Sequence, residues 1–85
     1  MYKVYVLMSL THQTLYVGSS EDVVKRLHEH NTGRCRYTSG RMPWKLVYHE
    51  SCGSRSEAMQ RERFFKSGQG RQELEEKLKH YSEIV

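Results

Sequence analysis

The chain has 85 residues, with 14 Lys and Arg residues against 10 Asp and Glu residues, a formal net charge of +4 at pH 7 and 36% hydrophobic residues. This length accommodates one domain with a small core, so we expect a single domain over residues 1–85. It excludes an enzyme assembled from separate catalytic and recognition domains.

The sequence also bears on location. No apolar segment approaches the roughly 20 residues that span a bilayer, and the first ten residues lack the pattern of a secretory signal. The two cysteines, Cys35 and Cys52, form no CxxC pair and are too few for a zinc site, so we interpret them as reduced thiols. We therefore expect a cytoplasmic protein without a membrane partner.

The positive charge is concentrated in two segments. Residues 25–45 contain six basic residues and one Glu, a net charge of +5, and residues 61–71 carry a net charge of +3. Concentrated positive charge is typical of proteins that bind polyanions such as nucleic acids. A basic surface that only confers solubility fits the charge equally well.

The hydrophobic pattern predicts a hairpin at the start of the chain. Tyr2–Met8 is rich in β-branched and aromatic residues and predicts a strand. A polar turn separates it from a second short strand, Leu15–Val17, which ends at Gly18. Alternation along the first strand places one set of side chains on one face (Lys3, Tyr5, Leu7) and another on the opposite face (Val4, Val6).

Three helices and one strand are predicted in the rest of the chain. Ser19 and Ser20 are interpreted as the cap of a first helix that runs to about His30, followed by a basic loop over residues 31–44. The third strand is Lys45–His49, and a Ser-x-x-Glu capping box at Ser54 opens the second helix. Glycines near residues 67–70 end that helix, and the third helix carries an apolar stripe of Leu74, Leu78, Tyr81 and Val85. The order β-β-α-β-α-α predicts a small α+β fold.

Glu62 stands out among the predicted core residues. Spacings of four and three residues place it on the same helical stripe as Ala58 and Phe65, which should face the sheet. A carboxylate there is costly unless it is paired or binds a cation. Alternatively, Glu62 lies at the edge of the stripe and pairs with Arg63, Lys66 or another cation.

Four further side chains are candidates for a site. Arg26 and His30 are one turn apart and project from the same side of the first helix, although pairing of Arg26 with Asp22 is an alternative. Tyr5 and Tyr16 lie on the two hairpin strands, where ordinary core packing is the alternative. A phenol in a cationic site can have a lowered pKa and can position or deprotonate a water molecule.

These residues together resemble the GIY-YIG nuclease superfamily. Lys3-Val4-Tyr5 is a degenerate first triplet, Tyr16-Val17-Gly18 matches the second except for Val in place of Ile, and Arg26 and Glu62 follow in later helices. The segments Tyr16–Asn31, Tyr37–Tyr48 and Ser54–Lys66 are similar to the small stand-alone bacterial branch. The resemblance covers about residues 2–70.

The resemblance implies a three-stranded antiparallel sheet flanked by helices and an endonuclease that hydrolyses DNA, in repair, recombination or processing of DNA taken up. It implies that Glu62 binds a single divalent cation, which is Mg²⁺ with Mn²⁺ as a possible substitute. It also implies that Arg26 contacts the scissile phosphate. It implies that Tyr5 and Tyr16 line the site. We take Tyr5 first and Tyr16 next as the residue that orients or deprotonates the water, and His30 as a proton relay.

Substrate binding is assigned to the basic helix and loop, because basic and aromatic side chains alternate there. This pattern favours single-stranded or branched DNA, although Trp44 is equally well explained as a core anchor. We expect a monomer, with a protein partner at the third helix as an option, and a non-catalytic nucleic-acid-binding module as the alternative function. The candidate binding residues are Lys25, Asn31, Arg34, Arg36, Tyr37, Arg41, Trp44 and Lys45.

Overall fold

The computed structural model describes the backbone of residues 1–84 and the side chains of residues 1–79. Three strands form an antiparallel sheet in the order β2-β1-β3, and three helices cover its faces, which confirms the α+β fold and the predicted order. Within residues 1–84, no helix is long and apolar enough to cross a membrane. The elements are β1 (Tyr2–Ser9), β2 (Leu15–Ser20), α1 (Val23–Asn31), a 3-10 turn (Ser39–Arg41), β3 (Trp44–Cys52), α2 (Arg55–Lys66) and α3 (Gly68–Ile84).

The first helix begins later than the sequence predicted, because Asp22 and not a serine caps it. The Asp22 carboxylate accepts a hydrogen bond from the backbone N–H of Lys25 at 3.0 Å. Ser19 and Ser20 instead continue β2, opposite Val4 and Lys3 of β1. The prediction that β2 ends at Gly18 is therefore wrong, and the extension brings two serine hydroxyls to the end of an edge strand.

The third strand and the junction of the last two helices also differ from the prediction. β3 extends beyond Lys45–His49 at both ends, from Trp44 to Cys52. The predicted capping box is present, since Ser54 caps α2. Gly70 does not end that helix but lies inside α3, where a Cβ would overlap the backbone carbonyl of Phe64.

The apolar residues of α3 fit the predicted stripe as far as the structure describes them. Leu74 is buried and Leu78 is partly buried, and both pack in the cluster that faces the sheet. The two remaining members of the stripe, Tyr81 and Val85, lie outside the described side chains.

The core consists of two clusters on the two faces of the sheet, as the alternation in β1 predicted. Val4 and Val6 pack with α2 and α3, whereas Tyr5 and Leu7 pack with α1. The central strand is thus buried on both faces, and β2 lies at one edge of the sheet, between α1 on one face and α2 on the other. Side chains from both helices can therefore approach one another beside β2.

Candidate active site

Arg26 of α1 and Glu62 of α2 line the same cavity, although they come from opposite faces of the sheet. The cavity has a volume of about 560 Å³ and lies where the end of β2 leads into α1. Its lining is highly charged, with four acidic and four basic side chains. The acidic ones are Glu21, Asp22, Glu29 and Glu62, and the basic ones are Lys25, Arg26, Arg55 and Arg63.

Both carboxylate oxygens of Glu62 have partners. The Ser19 hydroxyl donates to Oε1 at 2.9 Å, and the Lys66 ammonium donates to Oε2 at 2.8 Å. The Glu62 side chain is 26% exposed. It therefore lies at the edge of the helical stripe and pairs with Lys66, as one of the two interpretations of the sequence held, and it faces the cavity.

Arg26 is held by two neighbours. Its Nη1 lies 3.1 Å from Oε1 of Glu29, one turn further along α1. Its interaction with the Tyr5 hydroxyl raises the pKa of the guanidinium, so the charge on Arg26 is permanent. Asp22 is not its side-chain partner, because that carboxylate caps the helix. Arg26 thus presents a fixed positive charge to the cavity.

A chain of hydrogen bonds runs behind Arg26. Tyr5 Oη lies 3.1 Å from Nε2 of His30, and Nδ1 of His30 lies 2.8 Å from Oγ1 of Thr38. The Thr38 hydroxyl donates to the carbonyl of Cys35, so it accepts from His30. His30 therefore carries its proton on Nδ1, and Nε2 accepts the proton of the Tyr5 hydroxyl.

Burial shifts the pKa values of two side chains in this hydrogen-bonded network. It raises the pKa of Tyr5 to about 12, although a hydrogen bond from Arg26 opposes the increase. Burial and the charge of Arg26 lower the pKa of His30, which keeps the imidazole neutral. The expectation that a cationic site lowers the pKa of Tyr5 is wrong, because desolvation outweighs the nearby positive charge.

Gly18 makes room for the tyrosines. It lies opposite Tyr5 in the antiparallel pairing of β1 and β2. A Cβ at Gly18 would lie 2.6 Å from the Tyr5 hydroxyl oxygen and 3.2 Å from Cε1 of Tyr16. The Tyr16 ring also contacts His30, with ring centroids 4.8 Å apart. The glycine of the Tyr-Val-Gly triplet thus allows both phenol rings to approach the strand.

Two of the predicted nucleic-acid-binding residues, Trp44 and Asn31, have structural roles. Trp44 is only 3% exposed and its indole N–H donates to the carbonyl of Thr38, so its faces are not available to a base. The Asn31 amide bonds to the backbone N–H and carbonyl of Trp44, at 2.6 and 3.0 Å. These bonds fasten the basic loop to the core. The burial of Trp44 corrects its assignment as a stacking surface, whereas Asn31 is exposed and stays a candidate.

The other predicted binding residues lie on or near the surface. Arg34 and Arg36 are exposed, and Tyr37 is 68% exposed. The Arg41 guanidinium lies 5.5 Å from the centroid of the Tyr37 ring. Lys25 lines the cavity, whereas Lys45 lies within β3 opposite Met8, away from the cavity lining.

Three residues of the site were missed as functional candidates. Ser19 was assigned to a helix cap, although a period of two from Val17 places it on the face of β2 that meets α2. Lys66 was named only as one alternative partner of Glu62. Thr38 gave no local signal, because its contact with His30 depends on how the loop folds back.

The sequence of this chain is similar to those of known proteins. The model of the GIY-YIG catalytic domain matches residues 1–79. A UPF0213 protein of Streptococcus agalactiae serotype V is 50% identical over 54 residues, and the match spans 62% of this chain but only 61% of that protein. A UPF0213 protein of Natronomonas pharaonis is 48% identical over 65 residues, 75% of each chain.

A solved structure is also similar. The solution NMR structure of a UPF0213 protein from Bacillus halodurans is 33% identical and has a TM-score of 0.51. The match covers 87% of this chain and 82% of that one. The similarity thus extends over the sheet and the helices that carry the charged cavity.

Proposed function

Because this chain belongs to the GIY-YIG catalytic domain family, a family of nucleases, we propose that it is a metal-dependent endonuclease that hydrolyses phosphodiester bonds in DNA. We further propose that it leaves a 5′ phosphate and a 3′ hydroxyl. The observation that supports this function best is that Arg26 and Glu62, from different helices, line one cavity. Phosphodiester hydrolysis needs a cation and a carboxylate of this kind close together.

The residues around Glu62 fit a hydrated divalent cation. Within residues 1–79, no group of three or more His, Cys, Asp or Glu side chains is arranged to hold a metal, so the ion would be held by Glu62 with at most one further side chain of these types, and water would fill the other positions. Mg²⁺ binds through one or two carboxylates and keeps several water ligands, and Mn²⁺ accepts similar oxygen ligands. When bound, the ion supplies Lewis-acid stabilisation of a phosphate or leaving-group oxygen. Lys66 occupies Oε2 of Glu62 and therefore competes for that position.

Arg26 binds the scissile phosphate in this proposal. Its planar guanidinium offers several N–H donors in a fixed orientation, which match the non-bridging oxygens of a phosphate. Glu29 pairs with it at 3.1 Å, and the Tyr5 hydroxyl favours its charged form. Because the donors are oriented before the substrate arrives, they stabilise the negative charge that grows on the phosphoryl oxygens in the transition state.

We propose the two tyrosines in the opposite order to the one expected from the sequence. Tyr5 is 1% exposed and donates its proton to His30, so we assign it to positioning Arg26. Tyr16 is half-buried and borders a second cavity, so its hydroxyl is the more accessible to water. We therefore assign Tyr16 to orienting the attacking water. We assign neutral His30, whose two nitrogens bond Tyr5 and Thr38, to relaying a proton between those two groups.

Binding of the DNA backbone is assigned to basic residues of α1 and of the loop that follows it. Lys25 lines the charged cavity, and Arg34, Arg36 and Arg41 lie in the loop that follows α1. Their charges would neutralise phosphates without reading the sequence of bases. We propose single-stranded or branched DNA as the substrate, since an exposed aromatic ring, Tyr37, accompanies these charges.

The test is a cleavage panel of single-stranded, duplex, flap and junction DNAs with and without Mg²⁺. Cleavage that needs the cation and prefers unpaired DNA supports the proposal. Binding of DNA without cleavage on any member of the panel would favour the alternative, a non-catalytic binding module. Analysis of the product ends with a phosphatase and a ligase checks the predicted 5′ phosphate.

The biological setting follows from the proposed substrate. Single-stranded and branched DNA arise in repair, in recombination and in processing of DNA taken up, so we place the protein in one of these processes. We place it in the cytoplasm, where thiols stay reduced; Cys35 and Cys52 are both free. We propose that it acts as a monomer, which light scattering of the purified protein tests.

A further inference from the structure

A second cavity lies along the exposed edge of β2. It has a volume of about 400 Å³ and is lined by Leu15, Tyr16, Val17, Tyr37, Lys66 and Arg71. Three consecutive strand residues take part, and consecutive side chains point to opposite faces of a sheet. The cavity must therefore pass over the edge of the strand, and its size is within the range of small-molecule sites.

The charge of this cavity differs from that of the first one. Its lining contains two cations, Lys66 and Arg71, and no carboxylate. Arg71 makes no ion pair with any side chain of residues 1–79. Lys66 pairs with Glu62, so Arg71, which has no carboxylate partner among residues 1–79, is the cation of this cavity best suited to an anionic group such as a phosphate.

Two contacts join this cavity to the candidate catalytic residues. Lys66 lines the second cavity and bonds to Glu62, which lines the first. Tyr16 also lines the second cavity, and its ring lies 4.8 Å from that of His30. The two cavities are thus neighbours along β2, and a DNA strand bound in one would continue into the other.

Tyr37 provides an aromatic surface at this place. Its side chain is 68% exposed, whereas the Tyr5 ring on the same side of the sheet is buried. The ring is supported by Tyr16, with centroids 5.9 Å apart, and by the Arg41 guanidinium at 5.5 Å. An exposed ring fixed by two neighbours is a platform on which an unpaired base can stack.

We propose that the second cavity is a nucleotide subsite, which holds the nucleotide next to the scissile phosphate. Its base stacks on Tyr37 and its phosphate is bound by Arg71 and Lys66. This inference rests on the proposed nuclease function and extends it. A base that stacks on Tyr37 cannot stay paired in a duplex, so this subsite is what selects single-stranded DNA over duplex DNA.

The test measures binding without cleavage. A fluorescent single-stranded oligonucleotide of about 12 nucleotides is titrated in EDTA by anisotropy, and an abasic site is moved through it one position at a time. At one position, loss of the base should weaken binding about 10-fold. Tyr37→Ala should weaken binding of the intact oligonucleotide similarly and abolish the effect of that abasic site, while Tyr37→Phe retains both.

The phosphate-binding role of Arg71 is tested separately, with a matched control on the same helix. Arg71→Gln should weaken binding of every oligonucleotide. It should also reduce the slope of log K against log salt concentration by about the amount expected for one phosphate contact. Lys79→Gln removes the same charge from α3 outside both cavities and should bind as the parent does. Equal losses in Arg71→Gln and Lys79→Gln would show only a general charge effect and overturn the proposal.

The remaining outcomes separate this proposal from the function on which it rests. Additive effects of Tyr37→Ala and the abasic site at all positions would overturn the subsite, whatever the cleavage panel shows. If Tyr37→Ala abolishes the effect of one abasic site but no DNA is cleaved in Mg²⁺, the subsite is retained and the nuclease is refuted. Failure of the parent protein to bind the intact oligonucleotide would overturn the subsite, and the cleavage panel in Mg²⁺ decides the nuclease separately.

Discussion

The Tyr5 hydroxyl donates a hydrogen bond to Nε2 of His30, across 3.1 Å, and so connects the central strand of the sheet to the last turn of α1. The imidazole has its other nitrogen satisfied by Thr38, which fixes the tautomer. Because Arg26 interacts with the same phenol, the position of the guanidinium depends on a buried network and not on the helix alone. Buried networks with all partners present hold their members rigidly.

Glu62→Gln should reduce the rate of DNA cleavage in Mg²⁺ by about 10²-fold or more, because it removes the charge that would hold the cation. The amide has nearly the same size, and the side chain is partly exposed, so the fold should persist. Initial rates on a single-stranded oligonucleotide and far-ultraviolet circular dichroism measure the two effects.

The matched control for Glu62 is Glu76→Gln, which removes a surface carboxylate of α3 that pairs with Lys79. It should cut at the parent rate. Binding of Mn²⁺, followed by electron paramagnetic resonance without DNA, gives a readout that does not depend on activity. Unchanged cleavage and unchanged Mn²⁺ binding in Glu62→Gln would show that the carboxylate is not the metal ligand.

Arg26→Lys should lower kcat by about 10²-fold although it keeps the positive charge. An ammonium cannot hold Glu29, Tyr5 and two phosphate oxygens at once, because it lacks the planar set of donors. Steady-state kinetics separate this loss from weaker binding. A rise in KM with an unchanged kcat would instead place Arg26 among the residues that only bind the DNA backbone.

The sequence predicted the parts of this molecule that depend on local pattern. The alternation of Val4, Tyr5, Val6 and Leu7 predicted the two core clusters, and the Ser54 cap followed from its spacing to a glutamate. These features arise from strand and helix periodicity, which needs only neighbouring residues.

Other features depended on contacts between distant segments. Ser19 is equally suited to a helix cap and to a strand, and Asp22 decides between them by capping α1 itself. The buried indole N–H of Trp44 donates to the carbonyl of Thr38, and the periodicity of the sequence cannot predict such a partner. The raised pKa of Tyr5 likewise depends on how deeply the folded sheet buries the phenol, which outweighs the visible positive charge.

Gly18→Ala should destabilise the protein by about 1–3 kcal/mol, because the added Cβ would meet the Tyr5 hydroxyl at 2.6 Å. Tyr5 must then move away from His30, which also breaks the hydrogen bond between them. Urea unfolding measures the change in the free energy of unfolding.

Gly40→Ala is the control for Gly18, since a Cβ at Gly40 has no heavy atom within 4 Å. Its free energy of unfolding should stay close to that of the parent. Equal stability of the two alanine variants would mean that the Tyr5 ring does not lie against Gly18 as closely as described.

The stability of the fold should decrease as the pH falls below about 6.5, the pKa of a histidine in the unfolded chain. Burial and the charge of Arg26 lower the pKa of His30 in the folded state, so the unfolded chain binds the proton first. The stabilisation is therefore complete above pH 6.5 and is lost as the pH falls toward the lowered pKa. One proton accounts for a slope of at most about 1.4 kcal/mol per pH unit.

Urea unfolding of the parent and of His30→Gln between pH 5.5 and 7.5 tests this dependence, above the range in which most carboxylates titrate. His30→Gln should be less stable at pH 7.5, because it disturbs the bonds to Tyr5 and Thr38, and its stability should change less with pH. His12→Gln, at an exposed turn, should keep the slope of the parent. Parallel pH profiles for the parent and His30→Gln would show that His30 takes up a proton as readily in the folded protein as in the unfolded chain, and would overturn the lowered pKa of the buried imidazole.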